Sequence, residues 1–239
     1  MEIKTFEYEL VESTSDLARE YARDGGVLPA LFTAVGQTRG RGRRGRVFDS
    51  ASGGGLYMTL AFKPCGIDAV GITVRAGVAL ILAIERVSGL SAKIKWVNDI
   101  VVGRRKLAGI LAEGDFAPDG TLTYCALGIG VNLKHREFPS DLRDIVTTLE
   151  DETGRVIDPT ALRCEFVREF FSLSDYSRVI ALYREYSAVI GERVEVRRIS
   201  GEVFFGQVLD VSDSGGLVVR LDNGECEELI SAEVSIVRT

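Results

Sequence analysis

The spacing of apolar and polar residues divides the first ninety residues into alternating strands and helices. Side chains alternate from Ile3 to Glu9, as on a half-buried strand. Ser13 and Thr14 then offer N-cap oxygens to a helix that ends at the glycine pair of positions 25 and 26. Further apolar segments predict two strands and a long buried helix: Ala30–Val35, Leu56–Phe62 and Gly71–Gly89.

The next hundred residues continue this alternation. Asn98 and Asp99 form a turn signal between two short β-like runs, so we expect a strand pair there. Pro159 stands at the first position of a predicted helix, where a missing N–H costs nothing. The pattern predicts four strands and then two helices: Lys93–Val97, Ile100–Val102, Leu107–Glu113, Thr121–Leu133, Asp158–Phe171 and Asp175–Ile190.

From Arg193 to Val237 the sequence becomes β-branched, alternating and rich in turns. Five short β-like runs in so few residues favour a small barrel. We therefore place a domain boundary near Gly191, with a larger domain over residues 1–190 and a small β-barrel domain over residues 191–239.

Composition narrows the class of protein. Apolar side chains make up 46% of the 239 residues, which is typical of a globular protein. The net charge of −6 weighs against a general nucleic-acid binder. The longest apolar run, Ala76–Ile84, is too short to cross a bilayer, and the charged N-terminal residues lack a signal-peptide core. We expect a cytoplasmic protein that does not use a membrane.

Cysteine and histidine usage excludes several chemistries. Cys65, Cys125, Cys164 and Cys226 show no CxxC spacing, so unpaired thiols are expected rather than a zinc site or a disulfide framework. The sequence has one histidine, His135, which excludes His-rich metal sites and disfavours a Ser-His-Asp triad. We expect no protein metal site, and a solvated loop position for His135.

Residues Thr38–Arg46, T-R-G-R-G-R-R-G-R, form the most distinctive segment, which we name the arginine loop. Five arginines and three glycines fill positions 39 to 46 of an otherwise acidic chain. Glycine lets the backbone approach a ligand, and arginine offers planar donor pairs to phosphate or carboxylate. The loop therefore predicts a mobile clamp for an anion.

Three other interpretations of the arginine loop stay open at this point. Its glycines match GxGxxG, but a dinucleotide site needs a helix directly after the motif, and a β-like segment follows here. An RNA-binding Arg-Gly segment is a second possibility, although such segments are usually repeated tracts in tails. The third is a solvated basic loop without a ligand.

Two more segments carry candidate chemistry. Residues 95 to 113 read K-W-V-N-D-I-V-V-G-R-R-K-L-A-G-I-L-A-E, so Lys95 and Lys106 can lie on neighbouring strands and face one cleft. Gly109 interrupts a strand, which often marks the close approach of a ligand. In the segment G-I-G-V-N-L, which begins at Gly128, two glycines leave the backbone of a strand exposed. A β-bulge is the simpler explanation for these glycines.

Taken in order, these motifs resemble the biotin protein ligases. S-T is followed by G-Q-T-R-G-R-G-R-R-G-R, G-G-L-Y-M-T-L, K-W-x-N-D, K-L-A-G-I-L-x-E and G-x-G-x-N. The C-terminal G-x-V-x-D-V-x-D-x-G-G-L and S-A-E-V-S are similar to that family's SH3-like domain. The resemblance implies an α+β fold, a central mixed sheet flanked by helices like that of class II synthetases and biotin–lipoate ligases, with a C-terminal SH3-like barrel.

The resemblance also implies an activity. The family joins biotin to ATP, giving biotinoyl-5′-AMP and pyrophosphate, and then transfers biotin to one lysine of a biotin carboxyl carrier domain. ATP and biotin are expected as substrates, with Mg²⁺ held largely by phosphates and waters. Since few residues precede Ser13, we expect no DNA-binding domain and a ligase that is not a repressor. A homodimer through the central sheet is a further expectation.

Matching positions give the expected site residues. Arg43 and Lys106 are the expected catalytic cations. The expected biotin contacts are Ser13, Thr14, Ser15, Gln37, Arg41, Gly42, Arg43, Lys106 and Gly109. The expected nucleotide contacts are Arg41, Arg43, Phe48, Asn98, Asp99, Lys106 and Asn132.

Physical chemistry agrees with these assignments. Attack of a carboxylate on a phosphate brings two anions together, and fixed cations lower that repulsion. Ordering the eight residues from Arg39 to Arg46 costs roughly 10 kcal/mol of backbone entropy, and each charge-assisted hydrogen bond returns about 1.5–3 kcal/mol. We therefore expect a loop that is disordered when empty, where it has no contacts, and ordered by biotin or the adenylate.

Departures from the family pattern leave substrate choice open. Ser15 replaces the usual Asn, Val97 replaces a Pro, and Phe48 stands near the place of an aromatic that usually follows the arginines directly. Lipoate–protein ligase, which shares the fold and the adenylation chemistry, is the nearest alternative. A non-catalytic relative or an RNA-binding module would show no ATP turnover.

Overall fold

A computed structural model of the protein describes residues 3–64, 68–119 and 121–237. The predicted fold class is confirmed: a mixed central sheet flanked by helices precedes a separate antiparallel sheet. The central sheet contains seven strands: β1 (Lys4–Val11), β2 (Ala30–Gln37), β3 (Gly55–Phe62), β4 (Lys93–Lys95), β5 (Asp99–Val102), β6 (Arg105–Phe116) and β7 (Leu122–Asn132).

Strand order in the central sheet brings distant motifs together. The order is β1-β2-β3-β7-β6-β5-β4, with β1 and β2 parallel and the other neighbours antiparallel. The two longest strands, β6 and β7, therefore lie side by side near the middle. Their register places Gly109 opposite Gly130. No register shift occurs there, so the β-bulge expected at Gly128 is wrong.

Helices cover both faces of the central sheet. They are α1 (Thr14–Arg23), α2 (Ala69–Ser88), α3 (Leu149–Thr153), α4 (Pro159–Ser172) and α5 (Tyr176–Glu185). Helix α2 is buried along most of its length and packs against α4, α5 and the sheet, as its apolar composition predicts. Helix α1 lies against β2, β3 and β7 on the other face, over a smaller cluster that includes Phe32.

Two helix predictions needed correction. Helix α5 ends at Glu185 rather than near residue 190, because the next residues pair with the free edge of β4: Ile94 N donates to Tyr186 O (2.8 Å), and Ala188 N donates to Ile94 O (2.8 Å). Helix α3 was not predicted. Thr148 caps it by accepting from Asp151 N (3.0 Å), a local signal that the apolar pattern did not include.

Residues after position 190 form a five-stranded antiparallel sheet. Its strands are β8 (Arg193–Arg197), β9 (Val203–Val211), β10 (Leu217–Leu221), β11 (Cys226–Leu229) and β12 (Glu233–Ile236). The order β11-β10-β9-β8-β12 agrees with the predicted number of strands. Strands β11 and β12 form the two edges of this sheet, so closure into a barrel stays a prediction.

The two sheets share a continuous apolar core and several polar contacts. Trp96, only 4% exposed, donates from Nε1 to Gly215 O (2.9 Å). Arg184 on α5 donates to Val211 O (2.8 Å) and pairs with Asp213 (2.9 Å). Trp96 is thus an interdomain packing residue, and the small sheet lies close to the segment that follows it, Val97–Asp99.

The described cysteines agree with the expectation of unpaired thiols. No helix within the described ranges is long and apolar enough to cross a membrane. Cys125, Cys164 and Cys226 are free thiols, and burial raises the pKa of Cys125 to about 12. Cys65 lies outside the described residues.

Candidate active site

A pocket lies over β6 and β7, between the N-terminus of α1 and the arginine loop. Ten of the predicted site residues line it: Thr14, Ser15, Gln37, Arg41, Gly42, Arg43, Phe48, Asn98, Lys106 and Gly109. Ser13, Asp99 and Asn132 are not among its lining residues. Segments separated by up to about a hundred positions in the sequence thus meet in one place.

A hydrogen-bonded group of buried hydroxyls forms one end of the pocket. Gln37 Oε1 accepts from Thr14 N (2.8 Å) and Thr14 Oγ1 (3.1 Å). Thr14 Oγ1 also lies 2.9 Å from Thr59 Oγ1, which in turn lies 3.2 Å from Ser15 Oγ. Thr59, on β3, is fully buried and was not identified from the sequence. Its signal was a lone polar residue within the apolar run L-Y-M-T-L.

Ser13 precedes this group at the N-terminus of α1. It is 2% exposed, and its Oγ has no hydrogen-bond partner within the described structure. The residue occupies the N-cap position without making a side-chain cap bond. Because an unpaired buried hydroxyl is costly, a ligand oxygen or N–H at this end of the pocket would stabilise the arrangement.

Arg41 is fixed by two carboxylates that the sequence did not reveal. Nη1 donates to Asp16 (2.6 Å) on α1, and Nη2 donates to Glu113 (2.9 Å) on β6. Burial opposes the charged form, but Glu113 and Asp16 outweigh it and raise the pKa of Arg41. The arginine loop thus has protein partners without a ligand, and the expectation that it has no contacts when empty is wrong.

Arg43 differs from the other loop arginines. Its Nη1 donates to Asn98 Oδ1 (3.2 Å) and its Nη2 to Ser231 Oγ (3.4 Å). Within the described part of the chain it has no carboxylate partner, whereas the other four arginines pair with Glu12, Asp16, Glu113 or Glu233. Burial and the neighbouring Arg44 lower the pKa of Arg43. A half-buried guanidinium without a carboxylate favours an anionic ligand.

Lys106 supplies a second cation to the same pocket. Its Nζ lies 2.7 Å from Asp99 Oδ1 and 5.8 Å from the centre of the Phe48 ring. Lys95 and Lys106 line a second cleft together, as expected, but β5 separates their strands, so they are not on neighbouring strands. Lys106 on β6 therefore contacts Asp99 on the neighbouring strand β5. Arg43 of the arginine loop contacts Asn98, the residue before Asp99.

Paired glycines form the floor of the pocket. A Cβ at Gly130 would lie 2.6 Å from Phe48, and one at Gly109 would lie 3.1 Å from Lys106 Nζ. At Gly128 it would lie 3.1 Å from Ser15 Oγ. The missing side chains leave a flat strip of backbone along which an elongated ligand can extend from the hydroxyl group to the cations.

Asn132 lies further along the same strip. Residues 128, 130 and 132 alternate with inward-facing residues of β7 and so share one face of the sheet. Asn132 is 5% exposed and pairs in register with Gly55. Phe48 lies over Gly130, the preceding residue on this face, with its ring centre 6.4 Å from that of Tyr57. These residues mark the end of the strip opposite the buried hydroxyls.

The second cleft lies between the two sheets. Its volume is about 190 Å³, and it opens beside the first pocket, sharing Gly42, Arg43, Phe48, Asn98 and Lys106 with it. One wall is the segment Ala232–Ser235 of the C-terminal domain. The cleft includes five cationic and two acidic side chains, namely Arg43, Arg44, Arg46, Lys95, Lys106, Asp99 and Glu233. It is therefore suited to an anion larger than a single carboxylate.

Two family models match the chain. The model for the biotin/lipoate A/B protein ligase family matches residues 10–132, and the model for the biotin protein ligase C-terminal domain matches residues 189–237. The first match covers the hydroxyl group, the arginine loop, Lys106 and Asn132. The second covers the small antiparallel sheet and Glu233.

Several proteins are similar to this chain over most of its length. Bifunctional ligase/repressor BirA of Bacillus subtilis is 30% identical over 96% of this chain and 73% of its own length. Biotin--[acetyl-CoA-carboxylase] ligase of Mycobacterium tuberculosis is 26% identical over 92% of this chain and 83% of its own. The biotin protein ligase of Aquifex aeolicus in complex with biotin and ATP has a similar fold, with a TM-score of 0.84, 24% identity and 99% coverage of both chains. The chain therefore belongs to the biotin/lipoate A/B protein ligase family and includes the C-terminal domain of biotin protein ligases.

Proposed function

We propose that this protein activates biotin with MgATP to give biotinoyl-5′-AMP and then transfers the biotinoyl group to a lysine of a biotin carboxyl carrier domain. The observation that carries the proposal is Arg43, a half-buried guanidinium without a described carboxylate partner. It lines the same pocket as Lys106 and the hydroxyl group around Thr14. The names of the relatives supply the substrates, biotin, ATP and an acetyl-CoA carboxylase.

Biotin is proposed to bind along the glycine strip. Thr14 and Ser15, which Gln37 and Thr59 hold by hydrogen bonds, offer hydroxyl and amide groups suited to a ureido ring. Ser13 adds a buried hydroxyl without a partner in the described structure. The flat backbone at Gly109 and Gly130 leaves room for a ligand chain leading from that ring. Arg41 and Gly42 cover the ligand from the arginine loop, and Asp16 and Glu113 hold Arg41 in position.

In the first step, a carboxylate oxygen of biotin forms a bond to the α-phosphorus of ATP. The bond from that phosphorus to the β-phosphate oxygen breaks, and pyrophosphate leaves with the bonding electrons. Arg43 and Lys106 reduce the repulsion between the two anions and stabilise the negative charge of the transition state. No protein nucleophile is needed, because the carboxylate itself attacks.

In the second step, the acceptor lysine must be neutral to attack the acyl carbon of the adenylate. A new amide bond forms, the bond from the acyl carbon to the phosphate oxygen breaks, and AMP leaves with the electron pair. The nitrogen loses one proton during this step. We propose Asp99 as the acceptor of that proton, because its carboxylate lines the second cleft and lies 2.7 Å from Lys106, which lines both clefts.

The nucleotide is proposed to extend from Lys106 toward Asn132. Phe48 offers an aromatic face, while Asn98 and Asn132 offer amides that suit a sugar or a base. Mg²⁺ enters as part of the MgATP substrate. Within the described residues no group of three His, Cys, Asp or Glu side chains could hold a metal, so phosphate oxygens and water are the proposed ligands of the ion.

Further proposals concern the organisation of the protein. We propose a catalytic domain over residues 1–190 and an SH3-like domain over residues 191–239; the small sheet that begins at Arg193 supports this division. Cytoplasmic location is supported by the free thiols, which suit a reducing compartment. An action without DNA is supported by the net charge of −6. A homodimer through the central sheet is proposed from family resemblance, and analytical ultracentrifugation would measure it.

The experiment is a biotin-transfer assay that compares two arginines of the same loop. Purified protein is incubated with MgATP, biotin and a carrier domain, and the modified lysine is identified by mass spectrometry. Arg43→Ala is expected to lower the rate about 10²-fold, the size typical of losing one preorganised charge-stabilising donor. Arg39→Ala is the matched control, because Arg39 is 76% exposed and pairs with Glu12 away from the pocket.

Each outcome of this assay discriminates between functions. Biotin-dependent release of pyrophosphate and modification of one carrier lysine would support the proposal. Turnover with lipoate but not with biotin would replace it with the lipoate ligase alternative. Absence of ATP turnover with either acid would contradict an adenylating enzyme.

A further inference from the structure

An acidic residue of the C-terminal domain contacts the arginine loop. Glu233, the first residue of β12, lies 2.7 Å from Arg46 Nη2 and 3.3 Å from Arg44 Nη1. Two residues earlier, Ser231 accepts from Arg43 (3.4 Å). The last three arginines of the loop, Arg43, Arg44 and Arg46, therefore contact one short segment that lies almost 190 positions further along the chain.

The two halves of the arginine loop have different anchors. Arg39 and Arg41 pair with carboxylates of the larger domain, as described above. In the described structure, the second half has Glu233 as its sole carboxylate partner. Arg44 also adopts a left-handed backbone conformation (φ 57°, ψ 38°), which a non-glycine residue keeps only when its surroundings stabilise it.

Charge gives Glu233 a specific role. Burial is the largest cause of the lowered pKa of Arg43, and the nearby charges of Arg44 and Arg46 lower it further. Asp99 and Glu233 act in the opposite direction. Without Glu233, three neighbouring guanidinium groups would repel one another over the pocket. A loop with that repulsion would open more readily, since its glycines impose little backbone restraint.

We propose that Glu233 is a positioning residue that holds the second half of the arginine loop over the active site by pairing with Arg44 and Arg46. The C-terminal domain thereby keeps Arg43 at the pocket and slows escape of the acyl-adenylate before a carrier lysine arrives. This consequence for the intermediate rests on the proposed function, whereas the effect on the loop does not.

Glu227 offers a matched control in the same small domain. It has the same exposed fraction as Glu233, 30%, and it also pairs with an arginine, Arg198, which lies outside the loop. The variants are therefore Glu233→Gln, which removes the charge, Glu233→Asp, which keeps it, and Glu227→Gln. None of them alters a loop residue, so the peptide bonds that trypsin recognises in the loop are unchanged.

The first measurement is limited trypsin digestion of the unliganded 239-residue protein, with cleavage after positions 39 to 46 followed by mass spectrometry. Glu233→Gln is expected to be cut in the loop about three- to tenfold faster than the wild type, the size appropriate to two partly exposed ion pairs. Glu233→Asp should recover most of the protection, and Glu227→Gln should match the wild type. Equal loop cleavage in Glu233→Gln and the wild type would overturn the proposal.

The second measurement is the rate at which preformed biotinoyl-5′-AMP leaves each variant. Glu233→Gln is expected to release it about three- to tenfold faster, with an unfolding temperature equal to that of Glu227→Gln. A fall in unfolding temperature without faster cleavage or release would show a merely structural role and overturn the proposal. If loop cleavage follows the prediction but the wild type forms no adenylate, the positioning role stands and the proposed function fails.

Discussion

Thr59 is the residue through which the buried hydroxyl group is tested most directly. The change Thr59→Val keeps the branched shape of the side chain and removes a hydroxyl that lies 2.9 Å from Thr14 Oγ1 and 3.2 Å from Ser15 Oγ. Thr59 is fully buried, and the added methyl group of valine fills the place of its hydroxyl, so no water takes that position. Two hydroxyls that are proposed to face biotin would lose their shared neighbour.

The size of the effect follows from these two contacts. A buried hydrogen bond contributes about 0.5–1.5 kcal/mol net, so the loss of both lowers the free energy of unfolding by roughly 1–3 kcal/mol. For a chain of this size, the melting temperature should fall by about 2–4 °C per kcal/mol. Ser15 Oγ then loses its described partner and Thr14 Oγ1 keeps only Gln37, so biotin must order these hydroxyls as it binds. We expect this to raise the Kd of biotin about five- to tenfold, or roughly 1–1.4 kcal/mol.

The assay pairs calorimetric unfolding with isothermal titration of biotin in the absence of ATP. Thr33→Val is the matched control, because the Thr33 hydroxyl also donates within the sheet, to Tyr57 O (3.3 Å), but does not line the pocket. The control should lose some stability and keep its affinity for biotin. If Thr59→Val bound biotin as tightly as the wild type while its melting temperature fell, the argument that this hydroxyl orients the ligand group would be refuted.

Three further predictions follow from the site and its surroundings. Arg43→Gly should release the adenylate about tenfold or more faster and label bystander lysines, because the loop arginine without a described carboxylate partner is lost; mass spectrometry of added albumin measures this. Gly130→Ala should lower kcat/KM about tenfold, since its Cβ would lie 2.6 Å from Phe48. Asp115→Asn should be slightly less stable than the wild type at pH 7. Hydrogen bonding to Arg23 lowers the pKa of Asp115 from 3.8 to about 2, so its contribution to stability is present above pH 4 and disappears as the pH falls toward 2. Thermal unfolding of both proteins at several pH values measures this difference.

Each of these three predictions has a result that would contradict it. Labelling confined to the carrier lysine would contradict the prediction for Arg43. For Gly130, the control is Gly77→Ala on α2, whose Cβ would meet its neighbours at an ordinary 3.5 Å; an equal effect of both substitutions on kcat/KM would contradict the argument from close approach. A difference between Asp115→Asn and the wild type that persisted at pH 2 would contradict the assigned pKa.

Local sequence chemistry was sufficient for most of the elements. Period-two alternation and short apolar runs predicted most of the strands, and an all-apolar composition predicted the buried helix α2, because these patterns reflect which side chains leave water. The boundary of α5 was less predictable. That helix ends where Ser187 joins the edge of β4, and the competition between a further helical turn and a strand partner cannot be read from residues 186–190 alone.

The chemistry of the site was partly visible in the sequence. The arginine loop, Lys106 and the glycines were identified because arginine, lysine and glycine have distinctive properties wherever they occur. Their acidic partners were missed, because nothing in the sequence distinguishes these residues from other surface acids. The fold pairs Asp16 and Glu113 with Arg41. It pairs Glu233 with Arg44 and Arg46. Thr59 was missed for the same reason, as its contacts to Thr14 and Ser15 span about 45 positions.

By itself, the sequence determined most of the helices and strands, the segment that supplies the loop cations and the family to which the chain belongs. The tertiary structure decided which charges are neutralised and which remain available. Arg43 became the candidate for an anionic ligand only because the described carboxylates pair with the other loop arginines. That selection depends on distances of a few ångströms between residues far apart in the sequence, and these distances are set by packing within the larger domain and between the two domains.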